Sequence, residues 1–242
     1  MLGFSRQATQ VSWQDRIRDP ALTALLVLQL CLIFLAAPLA AKGVASAKPV
    51  VGTVVLATMV IVVMLSPRRE AAATIVVGLA AILAGLSLDG RSSPIVSSVL
   101  HWGGDILMSL AVIWVLAHAV YAPGRITLHR LRGAAALYLS VAIMFTSAFS
   151  LVWEFNPAAF AGVATARDEV GTFAAMLYFS LTSLTTTGYG DIVPVDPFAR
   201  SLANLESAIG VFYITITVAR LVTLELEDRR LATATAAHAR RR

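Results

Sequence analysis

Residues 185–191 read Thr-Thr-Thr-Gly-Tyr-Gly-Asp, and their types and spacing suit them to hold an ion through backbone oxygen. For successive carbonyls to face one line, the backbone must alternate between right- and left-handed conformations, and the left-handed ones are cheap for glycine. Gly188 and Gly190 are two apart, as that alternation needs. Such a row offers uncharged oxygens from Thr186, Thr187, Gly188 and Tyr189, with the Thr186 hydroxyl beside them, in place of the water around a cation. Ahead of it Phe173–Leu184 makes about three helical turns, too few to cross a bilayer. A half-spanning helix followed by extended backbone is excluded from bare lipid and tolerated only where protein surrounds it or water lies beside it.

Thr185 to Asp191 resembles the signature of tetrameric potassium channels, and the order outer helix, pore helix, filter, inner helix is similar to that family over residues 133–226. The resemblance implies passive, potassium-selective conduction, with potassium held at Thr186, Thr187, Gly188 and Tyr189 and the filter completed by Gly190. It also implies a homotetramer, because one pore loop supplies a quarter of each oxygen ring. Tyr189 is expected to point away from the axis and brace the filter, with Thr185 and Asp191 as flanking supports. In the family an aromatic donor on the pore helix holds the carboxylate after the filter. Here the matching positions are Tyr178 and Phe179, where many relatives carry two tryptophans, so the Tyr178 hydroxyl is the available donor. Thr182 stands where some relatives keep a buried acid. Gly210 lies 20 residues after Gly190, where many relatives keep a hinge glycine. Ile214, Val218 and Val222 follow it at helical spacing as a stripe for the cavity and gate. Glu206, ionisable and inside an apolar run, is expected to be buried and paired behind the filter. Glu225, Glu227 and Asp228 either gather cations at the inner mouth or end a solvated helix.

The elements that must hold this stretch are apolar. Of the 242 residues 58% are hydrophobic and 14% charged, and mean hydropathy is +0.78, a composition for an integral membrane protein. The formal charge of +5 lies between apolar runs, which suits membrane topology and not nucleic acid. Cys31 stands alone, so no intrachain disulfide forms, and it is read as a small buried apolar residue. No metal-ligand spacing, nucleophile motif or phosphate loop appears. An enzyme is not expected, nor any cofactor besides the permeant potassium.

The expected fold is an all-α membrane protein with six transmembrane helices plus a re-entrant pore helix and extended filter, joined in a homotetrameric pore. The spans are read at Ala21–Ala41, Val50–Leu65, Ala71–Leu88, Gly103–Tyr121, Ala134–Trp153 and Leu202–Leu224, the first as a retained span and not a cleaved signal. Ala81 and Gly85 form a small-xxx-small pair that suits close helix approach. The division is a cytoplasmic segment 1–20, a four-helix membrane domain 21–124, an interfacial linker 125–132, a pore domain 133–226 and a cytoplasmic tail 227–242, disordered after Arg230. Of the 19 basic residues, this topology puts 13 inside, against Lys42, Lys48, Arg91, Arg167 and Arg200 outside and Arg220 within the last span. That bias places both termini in the cytoplasm of a cell-membrane protein. The short helix then enters from outside, with its negative dipole end toward the cation.

A voltage sensor needs several arginines at every third position in its fourth span, and Gly103–Tyr121 has none. Voltage gating through this domain is therefore not expected. His118 and His129 are read as interfacial fillers or proton sensors, Asp105 is open between roles, and Arg125–Arg132 can lie on anionic lipid. The competing reading is a non-conducting or partner-dependent scaffold whose front domain binds lipid or protein.

Overall fold

The computed structural model describes residues 13–44, 55, 57–63, 69–88, 94–121, 128–163 and 169–239. The first helix, α1, runs over Trp13–Cys31, widens into a π turn at Leu32–Ala36 and closes over Ala37–Ala41. Pro38, which has no N–H and crowds the preceding turn, accounts for the widening. Gly43, at φ +77°, then ends it. Val44 N donates to Leu39 O and Gly43 N to Ala40 O, the paired bonds of a Schellman ending. The remaining helices are α2 (residues 57–63), α3 (Arg69–Leu88), α4 (Pro94–Tyr121), α5 (Leu128–Phe155), α6 (Glu169–Leu184) and α7 (Pro197–Ala239). Two short strands, β1 (Phe160–Ala161) and β2 (Val193–Pro194), pair antiparallel, with Phe160 opposite Pro194.

Four described helices are long and apolar enough to cross a membrane: Pro20–Ala41, Ile95–Tyr121, Leu128–Phe155 and Pro197–Arg220. Ala73–Gly85 in α3 is a shorter apolar helix. Half of the run Val50–Leu65 lies outside the described residues, as do residues 1–12.

Several helices exceed their hydropathic cores. α4 begins at Pro94, nine residues before the expected Gly103, because Ser, His and Trp lower hydropathy without breaking a helix. Its glycines do not end it. They let α3 approach instead: a Cβ on Gly104 would lie 2.7 Å from Gly78 O, and one on Gly85 would lie 2.8 Å from Ser97 O. Gly85 of the Ala81–Gly85 pair therefore sits at a true crossing, and Gly78 with Gly104 forms a second one. α5 takes in residues 128–132 of the expected linker. α6 starts at Glu169, four residues before Phe173. The segment after Arg230, expected to be disordered, continues α7 to Ala239, since its alanines are the strongest helix formers. Cys31, expected to be buried, is exposed.

Two cores result. Leu22, Leu25, Val62, Ile75, Met108 and Leu116 join α1 to α5 into a front bundle. Phe145, Phe149, Phe160, Met176 and Phe179 join α5, β1 and α6. There the Phe149 and Phe179 rings meet edge to face, 4.8 Å apart, a geometry that adds about 0.5–1.5 kcal/mol per pair to area burial. The far end of α1 leans on α6, with Ile33 and Ala37 packed against Leu177. The front bundle thus rests on the short helix of its own chain.

Candidate functional site

The site is built on the C-terminal end of α6. Thr187 N donates to Thr182 O at 2.8 Å and Thr186 N to Ser183 O at 3.0 Å, a second Schellman ending. The left-handed residue in it is Thr186, at φ +57°, where α1 used glycine. A β-branched residue is strained there and persists because its neighbours fix it. Gly188 at +56° and Gly190 at +81° follow, so left-handed residues alternate at 186, 188 and 190. The glycines announced two of the three, and nothing in the type of Thr186 announces the first. Residues 185–190 are all exposed in the single chain, and a Cβ on Gly188 or Gly190 would meet nothing within 4 Å. The described residues leave that side open.

Hydroxyls order the base of this row. Thr185 Oγ1 donates to Leu181 O at 2.7 Å, so in its 2.7 Å contact with Thr187 Oγ1 the donor is Thr187. Thr182 acts here through its carbonyl, which also receives Gly188 N at 3.2 Å, while its hydroxyl donates back to Phe179 O at 2.9 Å.

Above the row, Tyr178 Oη donates to Asp191 Oδ2 at 2.8 Å. That bond, with lesser contributions from desolvation and nearby charge, holds the phenol above its ordinary range, so it stays a donor through neutral pH. The Tyr189 ring lies parallel to Tyr178, 6.2 Å away, yet remains 72% exposed. Gly162, at φ +84°, backs Asp191: a Cβ there would fall 1.7 Å from Asp191 O. Asp196 then caps α7, accepting from Phe198 N at 2.8 Å and Ala199 N at 3.2 Å, with Pro197 at the first helical position.

Behind the row, α5 and α7 satisfy the carbonyls that end α6. Tyr138 Oη donates to Leu184 O at 3.0 Å and Ser207 Oγ to Ser183 O at 3.0 Å. Glu206 is fully buried, and its Oε1 lies 2.5 Å from Ser180 Oγ, which is also 2.8 Å from Ala142 O. Ser180 has one proton to give, so a carboxyl that brings its own proton serves both contacts together. Gly210 lies where α7 crosses α6, and a Cβ on it would sit 2.1 Å from Leu184 O. Close approach alone therefore requires glycine at a position read as a hinge. Ile214, Val218 and Val222 continue from it, each just over half exposed. The side chains of Glu225, Glu227 and Asp228 lie outside the described residues.

Further along, α7 is tied to α4. Tyr121 Oη and Thr217 Oγ1 are 3.0 Å apart, Arg220 donates to Tyr121 O at 3.1 Å, and its guanidinium lies 5.2 Å from the Tyr121 ring centre. His118 Nδ1 lies 3.1 Å from Trp114 O one turn back on α4, and His129 Nδ1 on α5 lies 3.0 Å from Thr23 Oγ1 on α1. Ser180, Ser207, Tyr138, Gly162 and Tyr121 had no sequence signal that marked them, because each acts on a partner at least 24 residues away.

Residues 139–226, from α5 into α7, match the family described as ion channel. The chain is also similar to Potassium voltage-gated channel protein shk-1 of Caenorhabditis elegans, 30% identical over 80 residues, which are 33% of this chain and 15% of that relative's length. No solved structure matches. The match and the apolar helices support an ion-channel function in a multi-pass membrane protein.

Proposed function

We propose that this chain is a subunit of a potassium-selective channel that conducts passively through Thr186–Gly190. The observation that carries the reading is the alternation of left-handed backbone at 186, 188 and 190 on the end of a half-length helix, the geometry that lines carbonyls along one axis. The rest is a homotetramer of six-span subunits, with α2 and α3 completing the front spans and both termini on the cytoplasmic side of the cell membrane. In favour of assembly, 17% of the apolar window of α7 is buried within the chain, against 56% of that of α5. Phe212, Ile216 and the stripe Ile214, Val218, Val222 await further copies and the cavity they enclose.

Voltage does not gate it through α4. A charge crossing the field contributes about 2.3 kcal/mol per 100 mV, and Pro94–Tyr121 contains no Lys or Arg to carry that work.

Purified protein in liposomes, with potassium and sodium on opposite sides, tests this directly. The expected result is a reversal potential near the potassium equilibrium value, barium block, and open probability flat in voltage. Equal permeability to the two ions sinks the selectivity, and a pure tetramer silent in every lipid favours the scaffold reading.

A further inference from the structure

We infer that Gly162 is a positioning residue for the outer end of the filter row: packed against the main chain of Asp191, it fixes the span over which the oxygens of residues 186–190 are set out. The inference rests on the conduction reading and adds a residue to it. At its inner end the row is pinned by the Schellman bonds from Thr186 N and Thr187 N to α6. Backbone held at one end can bend or twist, whereas backbone held at both ends keeps one length and one set of carbonyl spacings. The outer end is Asp191, whose carboxylate accepts from the Tyr178 hydroxyl at 2.8 Å. That bond acts through side-chain torsions that can rotate. Gly162 meets the main chain itself: a Cβ there would fall 1.7 Å from Asp191 O, 2.8 Å from Asp191 C and 3.3 Å from Ile192 Cα. Ordinary contact begins at 3.4 Å, so a methyl group would have to drive the two segments apart.

Gly162 is held in turn by the chain that precedes it. Ala159 O accepts from Val195 N at 2.8 Å and from Asp196 N at 3.2 Å, and β1 sets Phe160 opposite Pro194 and Ala161 opposite Val193 of β2. So short a pair is marginal by itself. Phe160 supplies its anchor, a buried ring that meets Phe149 of α5 at 5.9 Å and Phe179 of α6 at 5.4 Å, both edge to face. Arg200 Nε adds a bond from α7 to Pro194 O at 3.0 Å. Through Phe160 the outer end of the row is therefore referred back to α6, the same helix that carries its inner end. At φ +84° Gly162 also occupies the left-handed region, where an alanine is strained whatever the space around it. Gly43 separates strain from contact: its φ is +77°, and a Cβ on it would meet nothing within 4 Å.

The test compares Gly162→Ala with Gly43→Ala in the purified full chain, reconstituted in liposomes with potassium and sodium on opposite sides. Reversal potential gives the permeability ratio, and the decay of flux after potassium is withdrawn gives the durability of the row. Both variants carry a left-handed alanine, and both should lower the melting midpoint. Gly162→Ala alone should displace Asp191, so it alone should raise relative sodium permeability, by roughly tenfold, which corresponds to 1.4 kcal/mol of lost discrimination, and hasten the decay. A selective wild type whose Gly162→Ala variant stays as selective overturns the inference and leaves the conduction reading standing. So does a Gly43→Ala variant that loses as much selectivity as Gly162→Ala. A wild type that passes both ions equally sinks the conduction reading and this inference with it. Should Gly162→Ala fail to assemble, Phe160→Leu decides, since it keeps an apolar side chain but removes the ring contacts that anchor the loop: a smaller rise in sodium permeability supports the inference, and an unchanged ratio overturns it.

Discussion

The end of α6 and the middle of α1 both bury oxygen that water would otherwise solvate, and the two regions treat it differently. At the end of α6, Tyr138 and Ser207 reach the last two carbonyls from helices on either side, and Gly210 brings α7 against Leu184 O with no room for a methyl group. In the front bundle Gln29 Oε1 is buried with no hydrogen-bond partner among the described residues. Direct contact fixes positions to tenths of an ångström, as the proposed ion-coordinating role of the row would demand. The contrast explains why the short helix is clamped by three others while α1 to α4 are held chiefly by apolar packing and glycine crossings.

The strongest way to break the comparison is Gly210→Ala. A simple hinge glycine would tolerate alanine well. Here the added methyl should separate α7 from α6 and lower stability by about 3 kcal/mol or more, at the upper end of overpacking effects, seen as a lost tetramer band and absent potassium flux. Glu206→Ala should come next, costing about 2–3 kcal/mol from the cavity left and the abandoned Ser180 contact. Glu206→Gln, whose amide can donate to Ser180, should melt within about 1 kcal/mol of wild type. Equal melting of the two variants would show that the contact with Ser180 contributes nothing. Tyr121→Phe removes one hydroxyl between α4 and α7 and should cost about 0.5–1.5 kcal/mol; channel recordings should show altered open probability with selectivity intact. Smallest in stability is Tyr178→Phe, on an exposed side chain. Its expected effect is functional, an earlier loss of flux after potassium is withdrawn. Because the Asp191 bond raises the Tyr178 phenol above its ordinary 10.0, the brace should hold below that pH and fail only as pH rises through the raised value.

Much of the candidate site could be read from residue order, because residues 185–191 form a local stretch of backbone. Gly188 and Gly190 announce left-handed backbone, Asp191 and Tyr178 stand at positions that suit a brace, and Phe173–Leu184 is visibly too short to span. Glu206 could be singled out as an acid in an apolar run, but its partner Ser180 could not, since a serine on an apolar helix looks like any other. Thr186 escaped for a different reason. Its positive φ follows from the Schellman bonds that end α6, and those depend on where the helix stops. Boundaries were the least legible feature: hydropathy marks the part of a helix that lies in lipid, while α4 and α7 continue through serine, histidine and alanine that break no hydrogen bond.

The sequence by itself determined the membrane class, the half-length helix and the glycine alternation, because each rests on composition or on spacing within a few residues. Tertiary structure decided what those residues touch. It set Gly210 against Leu184 O, placed α1 against the short helix of its own chain, and left Gln29 Oε1 buried without a partner among the described residues. Contacts of that kind join positions far apart in the chain, and a linear pattern carries no record of which distant helices will meet.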